Sequence, residues 1–348
     1  MRKFRMKTVW VLLLVAVLMT LGGVLFAAGK TEAAGQKSFL FKYGNQQPET
    51  HSRSKSMIWF KDEIEKRTNG VIKMEVYHSG TLGTEKEMFE MTVTGALQGY
   101  RGAFYEQLNP QFNLYNLPFL FQSYEEMIAF NASDMAADMC KKGSVKGVYI
   151  PATGYTGFRT VVNVKRPILV PEDLKGIKMR APGQAPIINF YKLLGANPQE
   201  MAWSEVYMAL KQGVIDGADN APTNIEAAKV YEVAPYFTAL NYMAGADPLM
   251  VNMAWYQSLP ENIKPVFNQV AKEALQYWDQ MEKDAAVKAI DKISNYPGVK
   301  AIDMAKQPKE AAIWEQAAKP LWQQMVDAGF FSWDDIKRAQ AIIMKVRK

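Results

Sequence analysis

Apolar and polar positions recur along this chain with two periods, and the switches between them mark its elements. Residues 39–44 alternate as a strand. Residues 52–69 set Met57, Ile58, Phe60 and Ile64 at helical spacing and close on Thr68-Asn69-Gly70, and residues 71–77 return to alternation. This predicts a β-α-β unit. A second helix over 85–94 carries Met88, Met91 and Val93 on one face, and residues 95–104 read as the next strand. The second half repeats the plan. Strands are expected at 147–152, 158–164 and 177–181, and helices at 185–194 and 204–211, the latter with Ser204 as its N-cap. Ile215-Asp216-Gly217-Ala218-Asp219-Asn220 reads as an apolar run ending in a turn and an amide. Such alternation argues for mainly parallel sheets clad with helices, and the repetition argues for two of them.

One segment departs from this rhythm. From Pro260 onward Ile263, Val266, Val270, Ala274, Trp278, Ala285 and Ile290 keep helical spacing towards Asn295, with no interior glycine and only Pro265 in the first turn. One helix of that length is long for a globular protein. Trp314, Leu321, Trp322 and Met325 then mark an apolar-faced helix, and residues 336–344 a last one.

The first 29 residues follow a different logic. Arg2, Lys3, Arg5 and Lys7 precede an apolar run over 8–28 that ends in Ala27-Ala28-Gly29, the plan of a cleaved secretory signal peptide and hence of a periplasmic protein. A permanent membrane anchor is the other reading, since the run approaches the ~20 residues that span a bilayer. No cysteine near the cleavage region offers a lipid attachment point. Losing the four leader cations, with no acid among them, takes the formal charge from +6 to +2. That balance, with no basic stretch interleaved with aromatics, gives nucleic acid no footprint.

The chemistry-bearing residues are few. Cys140 is the only cysteine and His51 and His78 the only histidines, so neither a disulfide nor a zinc cluster is expected, and Cys140 reads as a small side chain packed on a helix. There is no G-x-S-x-G, no G-x-x-x-x-G-K-[ST] and no H-E-x-x-H, which leaves a periplasmic hydrolase as a rival with little support. No metal or cofactor is expected. Arg180 is different. It ends a short strand at Pro182-Gly183, the carboxyl edge where α/β sheets bind ligands, and a guanidinium there can hold a carboxylate through two parallel hydrogen bonds.

Several stretches together resemble the substrate-binding proteins of tripartite ATP-independent periplasmic (TRAP) transporters, the DctP-like family. They are Tyr77-His78-Ser79-Gly80-Thr81-Leu82-Gly83, Leu117-Pro118-Phe119-Leu120-Phe121, Gly157-Phe158-Arg159, Lys178-Met179-Arg180 and Met201-Ala202-Trp203-Ser204-Glu205-Val206-Tyr207. Their order and spacing hold from about residue 39 to 331. The resemblance implies a periplasmic-binding-protein-like α/β fold, with two lobes, a ligand cleft between them and the long helix spanning both. It implies that the chain crosses between lobes more than once, with 37–156 plus 246–284 in lobe I and 157–245 plus 285–345 in lobe II. A monomer that captures a small carboxylate and delivers it to TRAP membrane permease subunits is the expected function.

By the same resemblance Arg180 clamps the carboxylate, and Arg159 either assists it or orders the site through a structural ion pair. Trp203 walls the cleft, Asn220 offers its amide, and Gln46 and Glu85 approach from loops of the first lobe. Arg101 is a candidate cation for a second acidic group, and Asp247, at the return into the first lobe, completes the set. The family pattern D-G-x-E-N has Asp219 in place of its glutamate here, one methylene shorter, and no role is carried over to it. Whether the cleft prefers a sugar acid, a dicarboxylate or a more hydrophobic, lipid-like acid depends on the volume around Trp203.

Overall fold

The computed structural model describes residues 38–347, so the leader lies outside the described residues. Strand β1 (Phe39–Gly44) buries Phe41 and Tyr43 and pairs in parallel with β2 (Ile72–Tyr77) along its whole length, Phe39 opposite Ile72 and Gly44 opposite Tyr77. Between them runs α1 (Ser52–Arg67), which buries Met57, Phe60 and Ile64 and is capped at its start by the His51 ring accepting from the Arg53 N–H at 3.0 Å. Helix α2 (Glu85–Thr94) starts with a capping box, Thr84 and Glu87 each bonding the other's backbone N–H. The expected strand after it shrinks to β3 (Gly99–Tyr100). At its start Gly95, at φ +89°, still caps α2, and past its end the chain turns at Gly102, at φ +154°, where a Cβ would collide with the Tyr100 hydroxyl and come within 2.6 Å of Glu85 Oε1. Helices α3 (Tyr124–Asn131) and α4 (Asp134–Gly143) follow, the latter burying Cys140, whose thiol burial pushes up to about 12.

Strands β4 (Val148–Tyr149) and β5 (Thr153–Tyr155) lead to β6 (Thr160–Asn163), β7 (Lys178–Ala181), helix α5 (Ala185–Leu193), β8 (Asn197–Glu200), helix α6 (Val206–Lys211), β9 (Gly217–Asn220), helix α7 (Pro222–Ala227) and β10 (Tyr236–Ala239). Strand β9 corrects the reading of residues 217–220 as a turn. Gly217 lets them pass centrally between β6 and β7, since a Cβ there would lie 2.6 Å from Met179 Sδ and 2.9 Å from the Val162 carbonyl. The remaining elements are β11 (Ala246–Pro248), β12 (Met250–Asn252), α8 (Met253–Ser258), α9 (Lys264–Ser294), β13 (Lys300–Asp303), α10 (Pro308–Asp327) and α11 (Trp333–Ile343).

These strands form two sheets, in the orders β2-β1-β3-β12-β4 and β13-β10-β6-β9-β7-β8. The chain therefore passes from the first sheet to the second after β4, returns at β12, and leaves again for β13. The first two passages run side by side as the antiparallel ladder β5–β11, with Tyr155 opposite Ala246. The third is α9, 31 residues long and about 46 Å at 1.5 Å per residue. Its Phe267, Val270 and Leu275 pack in the core around Phe41 and Phe60, and Ile293 packs with Val162, Ile225 and Phe237 of the second sheet. It is a spine common to both α/β lobes. No helix of the described residues is long and apolar enough to cross a membrane.

Candidate functional site

The carboxyl end of β7 brings Arg180 to a cavity of about 60 Å³ that opens beside a vestibule of about 410 Å³. Arg180 is 3% exposed. Its Nε donates to the Met201 carbonyl at 3.1 Å and its Cζ lies 5.3 Å from the centre of the Trp203 ring. Among the described residues no carboxylate lies within ion-pair distance of it. Burial, then the neighbouring charge of Arg159, pushes its guanidinium down to about 10. The ring of Trp203 holds the guanidinium plane without neutralising it. Trp203→Ala is expected to weaken binding of an acid by roughly 3- to 30-fold, from a cation–π contact of about 0.5–2 kcal/mol, and Trp203→Phe by less. Titration calorimetry checks this, and equal losses in the two variants would remove the aromatic face from the account.

Arg159 also lines the inner cavity, but it has its own counter-ion. Its Nε meets Asp219 Oδ2, and its Nη2 donates to the Asp219 carbonyl at 2.9 Å. Burial works against both charges, yet each holds the other ionised: Arg159 ends above its ordinary value and Asp219 below. The Tyr242 hydroxyl donates to the same carboxylate, with the Tyr191 hydroxyl 3.1 Å behind it. Asp219, to which no role was carried over, is thus the anchor that orients Arg159. Next along the same strand, the Asn220 side-chain Oδ1 accepts from the Ala221 N–H at 2.9 Å and from Asn224 Nδ2 at 2.7 Å, which leaves its amide N–H group as the donor for the cavity.

From the first lobe, Glu85 at the start of α2 lines both cavities. Gln46 lines the vestibule and donates to the Gly83 carbonyl at 2.6 Å. Arg101 and Asp247 stand elsewhere than expected. Arg101 is 1% exposed, donates to Ser56 Oγ at 2.8 Å, and meets Asp247 Oδ2, which also accepts from Arg53 Nε at 3.3 Å. Neither lines the cavity. Their place behind the wall follows from charge: a fully buried aspartate keeps both arginines. The cation that does face the cavity from this side is Arg53, with Gln47, Tyr105 and Gln184 around it. Sequence reasoning missed these four. A Ser-Arg-Ser run on a helix start reads as surface.

Four buried arginines therefore converge with two buried aspartates, and Glu85 stands at the cavity wall. The excess of positive charge suits an anion, and the amides and Glu85 suit hydroxyl groups. Among the described residues no group of three or more His, Cys, Asp or Glu side chains could hold a metal ion.

Comparison with known proteins agrees with this arrangement. The family described as bacterial extracellular solute-binding protein, family 7, matches residues 43–328. The C4-dicarboxylate-binding periplasmic protein DctP of Rhodobacter capsulatus is 28% identical over 278 residues, covering 79% of this chain and 83% of that one. A TRAP periplasmic solute binding protein from Xanthobacter autotrophicus Py2, solved with bound beta-D-galacturonate, is 27% identical with a TM-score of 0.80, over 86% of this chain and 99% of that one. Another from Sulfurospirillum deleyianum DSM 6946, solved with succinate, is 26% identical with a TM-score of 0.81, over 88% and 99%. The expected fold of two α/β lobes matches that of these structures.

Proposed function

The chain belongs to the bacterial extracellular solute-binding proteins, family 7, and from that premise we propose that it captures a small hydroxylated carboxylate of the uronate or aldonate kind for TRAP membrane permease subunits. Its family is one of solute binding and not of catalysis. The observation that carries the ligand reading is Arg180, a buried cation in the cavity wall with an aromatic face and no carboxylate partner among the described residues. An acid group gives it the counter-charge that burial withholds from water. Arg159, ordered by Asp219, and the Asn220 amide stand beside it as further donors.

The rest of the lining supports hydroxyl groups on the ligand. Gln47, Glu85, Gln184 and Asn224 surround the inner cavity, and an apolar or lipid-like acid leaves these groups desolvated and unpaired. A sugar acid satisfies them, and its hydroxyls supply donors to Glu85. Contacts come from both lobes, so bound ligand favours the closed arrangement by its greater affinity for it, and the closed shape is what the permease subunits recognise. In this reading 37–156 plus 246–284 form lobe I and 157–245 plus 285–345 form lobe II. The protein works as a monomer, exported by a leader that is cleaved, in the periplasm.

Two measurements test the reading. Mass spectrometry of ligand co-purified with the protein is expected to find a small polyhydroxylated acid. A thermal-shift screen is expected to give its largest shifts with acids such as D-galacturonate and none with long-chain fatty acids. A fatty acid in the purified protein, with no shift by any hydroxylated acid, would overturn it.

A further inference from the structure

Beneath the cavity, on the spine helix α9, lies an acid that the capture reading does not use. Glu282 is fully buried. Its Oε2 accepts from Ser52 Oγ at 2.7 Å, and its Oε1 accepts from Thr223 Oγ1 at 2.5 Å. Ser52 begins α1, beside the cavity-lining Arg53, and Thr223 lies in the first turn of α7, beside the cavity-lining Asn224. One carboxyl thus joins the ligand-facing start of a helix packed on the first sheet to that of a helix packed on the second. Room for it is made by Gly157, in the passage between β5 and β6. At φ +86°, a Cβ there would stand 3.1 Å from Glu282 Oε1 and 3.2 Å from the Ala221 Cβ.

We propose that Glu282 is a positioning residue that draws the two ligand-facing helix starts together as the lobes close, and that it holds a proton there, which Oε2 donates to the Ser52 hydroxyl oxygen while Thr223 goes on donating to Oε1. This rests on the acid-capture reading above. The groups facing it divide in sign. Arg53 of α1 opposes protonation and Asp247 of β11 favours it, while Tyr124 of α3, Tyr155 of β5 and Asp279, one turn earlier on α9, carry no positive charge. His51, beside Ser52, is held neutral, its imidazole pushed down to about 3 by burial and by Arg53. Burial prevails over the Thr223 and Ser52 hydrogen bonds and pushes the Glu282 carboxyl up to about 7.

The sign of the coupling follows. When the lobes part and water reaches the carboxyl, it returns to the ordinary 4.5, so the closed form binds one more proton between these two limits. The advantage of closure is complete below the lower limit and is lost as pH rises through the upper one. A ligand carboxylate is ionised over most of this window, so its own titration adds little. Glu106, which burial raises and which accepts from the cavity-lining Gln184 at 3.1 Å, is a second acid near the ligand, so the difference between wild type and variant isolates Glu282.

The test is calorimetry with D-galacturonate on wild type and Glu282→Gln, in buffers of differing ionisation enthalpy. From about pH 5.5 to about pH 7.5 the wild-type affinity is expected to fall roughly 20-fold relative to the variant, with uptake of about one proton near pH 6 that the variant lacks. Superimposed profiles, or equal proton counts, overturn the proposal. Where Glu282→Gln does not fold, Thr223→Val serves. Loss of one hydroxyl donor moves the wild-type midpoint to higher pH, and an unmoved midpoint overturns the proposal. Failure of D-galacturonate to bind either protein at any pH counts against the ligand reading instead. The same pair of profiles is then taken with succinate, the acid held by one of the similar structures, and superimposed wild-type and Glu282→Gln profiles with it overturn the role of Glu282.

Discussion

Arg180→Ala is expected to weaken binding of D-galacturonate by roughly 30-fold to several thousandfold, the equivalent of about 2–5 kcal/mol for truncating one partner of a buried, charge-assisted pair. The size follows from where the guanidinium sits. It is buried, it donates only to a backbone carbonyl among the described residues, and the nearest cation, Arg159, is already committed to Asp219. Burial and that neighbour both disfavour its charge, so the bound carboxylate supplies the compensation it lacks without ligand. The same logic predicts an asymmetry. The variant loses affinity but not stability, because it removes an uncompensated buried charge, and the ligand-free unfolding midpoint stays level or rises. Arg180→Lys keeps the charge and loses the two-pronged donor geometry, so it falls between the two. A loss below tenfold in Arg180→Ala by titration calorimetry would take Arg180 out of the clamp.

Asp247→Asn is expected to cost stability instead, about 3–5 kcal/mol, read from urea unfolding of the ligand-free protein. Asp247 Oδ2 is shared by Arg101 and Arg53, with the Arg101 and Arg53 guanidinium carbons 5.0 Å and 5.7 Å from the Trp278 ring centre. Removing the one carboxylate leaves two almost fully buried guanidinium groups without the counter-charge they share. An amide of the same shape accepts a hydrogen bond but returns no charge. Binding is also expected to weaken, since Arg53 reaches the cavity from this anchor and loses its orientation with it. An unfolding free energy within 1 kcal/mol of the wild type would show that Arg53 and Arg101 find other compensation.

The contrast between these two arginine sites marks how far the chain could be read without coordinates. Arg180 was legible because local signals coincide on it: an alternating strand, a Pro-Gly stop and the carboxyl edge of a sheet. Arg101, on an equally plausible strand, was misplaced. Its partner lies 146 residues away at Asp247, a separation over which no local pattern operates. Arg159 left two readings open, and the ion pair with Asp219 together with a place on the cavity wall supports both at once. Gln46 and Glu85 reach the vestibule as their loops suggested.

Periodicity and backbone chemistry sufficed for the elements whose causes are local. The spine helix follows from 31 residues without an interior breaker, and the β1-α1-β2 unit from its alternation and its capped, amphipathic helix. The strand that carries Arg180 needed no more. Which buried charges meet, why residues 250–252 enter the first sheet between β3 and β4, and how Glu282 comes to lie under both lobes were set by packing alone. Those contacts join segments distant in sequence, and their energy exists only once the chain has excluded water from around them.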